Sequence, residues 1–264
     1  IRFSKNAYLA VKGPIMARGT VGEPIELEPI GSGWKGIYCF RALEESRLQH
    51  TTIKQTTGVV DGALSLTGGV TFYRSDVVIE NCSFIGCRAE DALNIVHSNF
   101  EINKVIVRDA ISDAIDFDFS NGKVTDSIFS QIRGDALDFS GSTARVAGVK
   151  FTNIGDKALS VGEQSVIFAR NCDASNIGVG IASKDGSKTI CIKFAINKFS
   201  LYAAMAYNKK DFYKSASLDI WDSKISSLSE PFFCENGAFM SVDKKVVPPR
   251  PLDVRAIYPR RAKK

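Results

Sequence analysis

The chain has no run of about 18 or more apolar residues, so its sequence offers no membrane-spanning helix. Histidine is scarce: only His50 and His97 occur, and the six cysteines (39, 82, 87, 172, 191, 234) include no C-x-x-C pair. That scatter excludes a zinc site of the usual ligand spacing. Cys82 and Cys87 are close enough for a local bridge, but buried free thiols are the plainer expectation, because cysteine is among the most buried residue types. A phosphate-cradling glycine loop is also missing; the glycines fall where turns do.

The opening residues, Ile-Arg-Phe-Ser-Lys-Asn, have neither an initiator methionine nor the apolar core of a signal peptide. They read as the start of a mature or excised piece, with other domains of a longer parent chain as partners. The formal charge of +5 is unevenly placed: from Lys244 onward eight Lys and Arg face Asp253 alone, so the tail carries about +7 and the rest about −2. A groove for phosphates belongs in a fold rather than after it, so nucleic acid is not an expected partner.

What the chain does have is a repeat. Asp91-Ala-Leu-Asn94-Ile, Asp113-Ala-Ile-Asp116-Phe and Asp135-Ala-Leu-Asp138-Phe place Ala92, Ala114, Ala136 and Ala158 at intervals of 22 residues, with Gly180 on the next beat. A fixed period of this size marks a solenoid. Within each unit the apolar runs are short and rich in Val, Ile, Phe and Thr, and Gly, Asn, Asp or Ser interrupts them before a helical stripe completes two turns. The unit is too short for a pair of helices, so it predicts β-coils stacked about 4.8 Å apart. Large apolar residues recur at one place per unit (Phe117 and Phe139; Val107, Phe129 and Phe151; Ile132 and Ile154) and predict stacked core columns.

The expected fold is thus all-β: a parallel β-helix of about nine coils with about 22 residues each. Residues 1–32 form an N-terminal cap with the first coils, 33–230 the β-helix, and 231–264 a C-terminal cap with a basic, Pro-containing tail. Trp34 reads as a packing residue. The period drifts after Gly180, where Asn208-Lys-Lys-Asp211 inserts a charged loop.

The succession Ser65-Leu-Thr-Gly68, Val70-Thr-Phe-Tyr-Arg-Ser-Asp76, Glu90-Asp-Ala-Leu-Asn94, Asp113-Ala-Ile-Asp116-Phe-Asp118-Phe, Asp135-Ala-Leu-Asp138, Gly155-Asp-Lys157-Ala-Leu and Ser183-Lys-Asp185 resembles a right-handed parallel β-helix of the pectin-lyase-like superfamily. More narrowly, it is similar to β-helix modules found C-terminal to spore-coat-H-type kinase-like domains in bacterial envelope proteins. The likeness spans roughly residues 60 to 215. It implies the fold, an extracytoplasmic setting (secreted, periplasmic or cell-surface) and a polysaccharide partner, but transfers no activity. The Asp-Pro-His-Asp string of the epimerases is absent, as is Gly-His-Gly with Arg-Ile-Lys of the polygalacturonases.

Strand alternation supplies candidate chemistry. If Ile115 and Phe117 point inward, Asp116 and Asp118 point outward, and the 22-residue register stacks Asn94, Asp116, Asp138 and Ser160 in one outward column. A second column at the turn holds Asp91, Asp113, Asp135 and Lys157. Like charges at this spacing raise a pKa or require a cation.

Three readings stay open: Asp residues capping turns, a Ca²⁺ site on Asp116 and Asp138, and paired carboxylates for carbohydrate chemistry. In the enzymatic version Asp116, Asp138 and Asp118 act with a proton-abstracting Lys157 or Lys184, and Asn94, Asp113, Asp135, Arg133, Glu163 and Asp185 hold substrate. The expected function is polysaccharide binding, with lyase, epimerase or hydrolase activity open; the alternative is a non-catalytic structural or adhesive rod. Stacking platforms for sugars would come from Tyr73, Tyr202, Tyr207, Tyr213 or Trp221, none tied to the acidic columns by register.

Overall fold

The computed structural model describes residues 1–62, 64–226 and 230–253. Every regular element among them is a β-strand. Arg255, Arg260, Arg261, Lys263 and Lys264 of the basic tail lie outside the described residues. Among the described residues no helix is long and apolar enough to cross a membrane.

One coil explains the rest. Asp91–Val96, Asn99–Asn103 and Ile106–Ala110 are separated by two-residue corners that begin on a left-handed residue, His97 (φ 49°) or Lys104 (φ 51°). Each strand pairs in parallel with its equivalent one coil later: Asp113–Asp118, Asn121–Thr125 and Ile128–Ile132. Three faces therefore wrap one core, and the chain winds as a β-solenoid of about 10 turns with about 23 residues per turn.

The inward register is the expected one. Ile115 pairs with Leu137 and Phe117 with Phe139, and all four are fully buried. The Phe117 and Phe139 rings stack 4.6 Å apart at 7°, and Phe129 stacks on Phe151 at 5.6 Å. Flat aromatic columns of this kind arise because the coil spacing is close to the thickness of two rings in contact.

The small polar residues at the corner after the first face have a structural task. Ser75, Ser98, Ser120, Ser142, Ser165 and Ser187 are buried in a continuous ladder. The N–H of Ser120 donates to Ser142 Oγ at 2.9 Å and that of Ser142 to Ser165 Oγ at 2.9 Å, while Ser142 Oγ donates to the Phe117 carbonyl at 2.9 Å. Each hydroxyl thus supplies the acceptor that a buried corner N–H would otherwise lack. Ser142→Ala removes the partner of the Ser120 N–H and should cost about 1 to 3 kcal/mol. Urea unfolding checks this as a lower midpoint at unchanged slope.

At the N-terminal end, Tyr8–Val11, Met16–Arg18 and Ile25–Pro29 stack on the following coil. Trp34 is fully buried, lies flat on Phe3 at 3.9 Å and donates from Nε1 to the Lys54 carbonyl at 2.9 Å, as a packing residue would. Between Thr56, bridged to Trp34, and Gly68, bridged to Asp91, the described residues carry a small antiparallel pair, Val59–Asp61 with Leu64–Leu66. The expected drift of period shows as a register shift between Ile177 and Val179. Phe232–Cys234 and Phe239–Val242 continue the parallel stacking at the C-terminal end. All six cysteines are buried free thiols, and Cys82 and Cys87 are not bridged.

Candidate functional site: an acidic cleft on the first face

The first face carries the acidic columns, and their register is as expected: Asn94 with Asp116, Asp116 with Asp138, Asp138 with Ser160. Its two ends are not open surface. Asn94 and Ser160 are buried, and beyond Ser160 the outer side of the face becomes apolar: Val179, Ala182, Met205, Tyr207 and Phe233 cluster there, with Tyr202 and Leu252 packed on them. Alternation gave the direction of these side chains but not what covers them. In the middle Asp113, Asp116, Asp118 and Asp138 are partly exposed.

Two flanks bound this centre. On the N-terminal side the chain that follows the antiparallel pair reaches Asp91, whose carboxyl takes a hydrogen bond from the Thr67 side chain. On the C-terminal side a loop is tied down by Asp185. That residue is fully buried, with Oδ1 accepting the N–H groups of Lys209 at 2.7 Å and Lys210 at 2.8 Å. Glu163 helps: Oε1 pairs with Lys210 Nζ at 2.5 Å and Oε2 accepts from Ser140 Oγ at 2.9 Å. Asp185 and Glu163, expected to touch substrate, are placed where they anchor the loop.

The aspartates divide by partner. In the turn column two carboxylates cap the next coil, Asp113 Oδ1 accepting from the Asp135 N–H at 2.7 Å and Asp135 Oδ1 from the Lys157 N–H at 2.9 Å. In the outward columns no backbone is capped. Asn94 Nδ2 bridges Asp116 Oδ2 and Asp118 Oδ2, both at 3.3 Å, and Asp138 Oδ1 is a buried atom with no hydrogen-bond donor. Lys184 Nζ lies 3.7 Å from it. The turn-capping reading thus holds for Asp113 and Asp135 and does not extend to Asp116, Asp118 or Asp138.

Crowding so many carboxyls shifts their protonation. Burial, then the Glu90, Asp118 and Asp138 charges, pushes Asp91 up to about 7, against the Thr67 hydrogen bond. Burial and the Asp135 charge push Asp113 up to about 7. Asp116 is driven well above the carboxylate range by burial first, then by Asp118 and Asp91; burial raises Asp118 as well, against the hydrogen bond from Asn94. The folded state therefore holds protons that the unfolded chain releases above about pH 4, so stability falls as pH rises from about 4 to about 7. A melting temperature higher at about pH 5 than at about pH 8, with the difference reduced in Asp113→Asn, is the expected result.

The lysines are charge partners inside the cleft. Lys157, buried, pairs with Asp135 Oδ1 at 3.3 Å and Asp156 Oδ2 at 2.7 Å; Lys184, also buried, donates to Ser160 Oγ at 2.8 Å. Lys209, which periodicity did not single out, joins them from the loop. Burial, then the Lys184 and Lys157 charges, holds it below the ordinary lysine value.

Carboxylate oxygens of Asp113, Asp135 and Asp138 lie within 4.8 Å of one another. They are the donor set a cation would find, and the expected ligand Asp116 is not among the three. Calcium takes about six to eight oxygens, whereas two of these carboxylates already accept backbone N–H groups and Lys157 and Lys184 stand beside the cluster. The fit to a resident Ca²⁺ is poor.

Arg133 does not join the acidic centre; it lines a furrow on the corner before the first face. The rim at the opposite corner, after the first face, carries His97 and Phe119 beside the stacking candidate Tyr73. His97 stacks on Phe119 at 5.0 Å, and Tyr73 meets His97 edge-on at 6.3 Å. Phe119 is 55% exposed in a left-handed conformation (φ 49°), which a bulky residue rarely adopts. Its signal in the sequence was an apolar residue at the corner position that Gly141 fills one coil later.

Fold and cleft together define a parallel β-solenoid with a partly protonated acidic centre on one face. No family model matches the chain, and no curated protein matches it. Among solved structures it is similar to an alginate lyase from Paenibacillus sp. str. FPU-7, at 12% identity over 88% of this chain and 89% of that one, TM-score 0.43. It is also similar to the thermostable pectate lyase PL 47, at 13% identity over 83% of this chain and 61% of that one, TM-score 0.33.

Proposed function

We propose that the chain binds a polysaccharide in the acidic cleft and cleaves its glycosidic bonds by carboxyl acid–base chemistry. One observation carries this: Asp116 and Asp138 are register partners on adjacent coils with opposite environments. Asp116 keeps its proton through burial and neighbouring charge, and Asp138 faces the Lys184 ammonium at 3.7 Å. Their strand spacing of about 4.8 Å is close to the about 5 Å carboxyl separation of retaining glycosidases. In this reading Asp116 donates its proton to the glycosidic oxygen and Asp138 attacks the anomeric carbon; Asn94 and Asp118 orient Asp116.

The lowered pKa of Lys209 favours a second reading, β-elimination on a uronate. There Lys209 takes the proton beside the carboxylate while the bond to the leaving oxygen breaks. An extracytoplasmic setting within a larger bacterial envelope protein is proposed on the family resemblance.

Incubation with acidic and neutral polysaccharides, with and without Ca²⁺, tests both readings. New reducing ends without unsaturation support hydrolysis, and unsaturated ends support elimination. No binding and no product from any polymer would leave the rod alternative standing.

A further inference from the structure

A concavity of about 740 Å³ lies outside the acidic cleft, in the furrow along the corner that precedes it. Its floor is the buried column Ile132, Ile154 and Ile177, continued by the partly buried Phe199. One wall is built from the residues just before these, Gln131, Asn153, Asn176 and Lys198, all left-handed at φ 53° to 58°. The other wall begins at Arg133 and falls away at Gly155 and Gly178, because a Cβ on either would meet the preceding coil's backbone at 2.3 or 2.4 Å.

We infer that this furrow is a second binding subsite for the same polymer, taking an extended, carboxylate-bearing polysaccharide along the solenoid axis. The inference rests on the proposed glycan chemistry of the cleft. The furrow touches coils from Asp109 to Ser200, four coil steps or about 19 Å, so it accommodates several sugars in a row rather than one. Its polar groups suit hydroxyls: Asn176 Nδ2 donates to Asn153 Oδ1 at 2.6 Å, which leaves the Asn176 carbonyl to accept and further amide N–H groups to donate. Its charge suits an acidic chain, since exposed Arg133 and Lys198 outnumber Asp109. The furrow thus adds exposed cations, Arg133 and Lys198, to the buried lysines of the acidic centre.

The test uses the full chain with Asp116→Asn and Asp138→Asn added, so that ligands are bound but not cut. Titration calorimetry compares trimers and heptamers of galacturonate and mannuronate with neutral xylo-oligosaccharides. Arg133→Ala with Asn153→Ala should weaken acidic heptamer binding by about tenfold or more and leave trimer binding unchanged. Lys198→Ala should act in the same direction, and neutral heptamers should bind more weakly than acidic ones. Equal heptamer affinity before and after the changes, with cleavage by the unmodified chain intact, overturns the furrow and spares the function. Loss of trimer and heptamer binding alike also overturns it. Absence of binding and cleavage in the unmodified chain overturns both.

Discussion

Asp116→Asn should lower turnover by about 10²- to 10⁴-fold, the usual worth of a positioned general acid, and Asp138→Asn should abolish it. The same Asp116 change should raise the melting temperature at about pH 8, because it removes a carboxyl that burial and the Asp118 and Asp91 charges make costly to ionise. The two effects run in opposite directions, as they do where function is held at the expense of stability. An inactive but more stable variant cannot be explained by misfolding. Turnover within about tenfold of the unmodified chain would remove Asp116 from the mechanism, and a lower melting temperature would mean that its link to Asn94 holds the coil together.

Phe117→Ala tests the architecture with an effect of comparable size. The ring is fully buried between Phe100 at 4.3 Å and Phe139 at 4.6 Å, centroid to centroid. Stacked coils cannot slide together to fill a gap without breaking register, so the cavity stays open and the loss should reach about 3 to 5 kcal/mol. Denaturant unfolding measures it. A negligible change would mean that Phe117 does not face the core, and the outward direction of Asp116 would fall with it.

Most of the solenoid was legible because strand alternation and a fixed period both act through backbone geometry. The inward places of Ile115, Phe117, Phe129 and Phe151 followed from their spacing alone, and so did the pairing of Asp116 with Asp138. What the period could not carry is whatever depends on departures from it. Asp185 lies on the repeat, yet its burial comes from the inserted loop of residues 208–211 that it anchors. Arg133 is two residues from Asp135, but the corner between them sends it into the furrow. Phe119 and His97 sit at a left-handed corner where a repeat reader expects turn residues, so their stacking left no periodic mark beside the acids.

The six unbridged thiols have one more consequence. They sit at intervals along the rod, from Cys39 in an early coil to Cys234 in the last, and all are buried. Burial pushes Cys82 and Cys172 up to about 11 and raises Cys191 well above the ordinary thiol value, so these sulfurs are poor nucleophiles while their coils stay closed. A reducing environment leaves such a fold untouched, since no bridge exists to be cut. Alkylation at each thiol then waits on opening of its own stretch of coils. In a body where every coil contacts only its neighbours, the six labelling rates measure how firmly each part of the stack is shut.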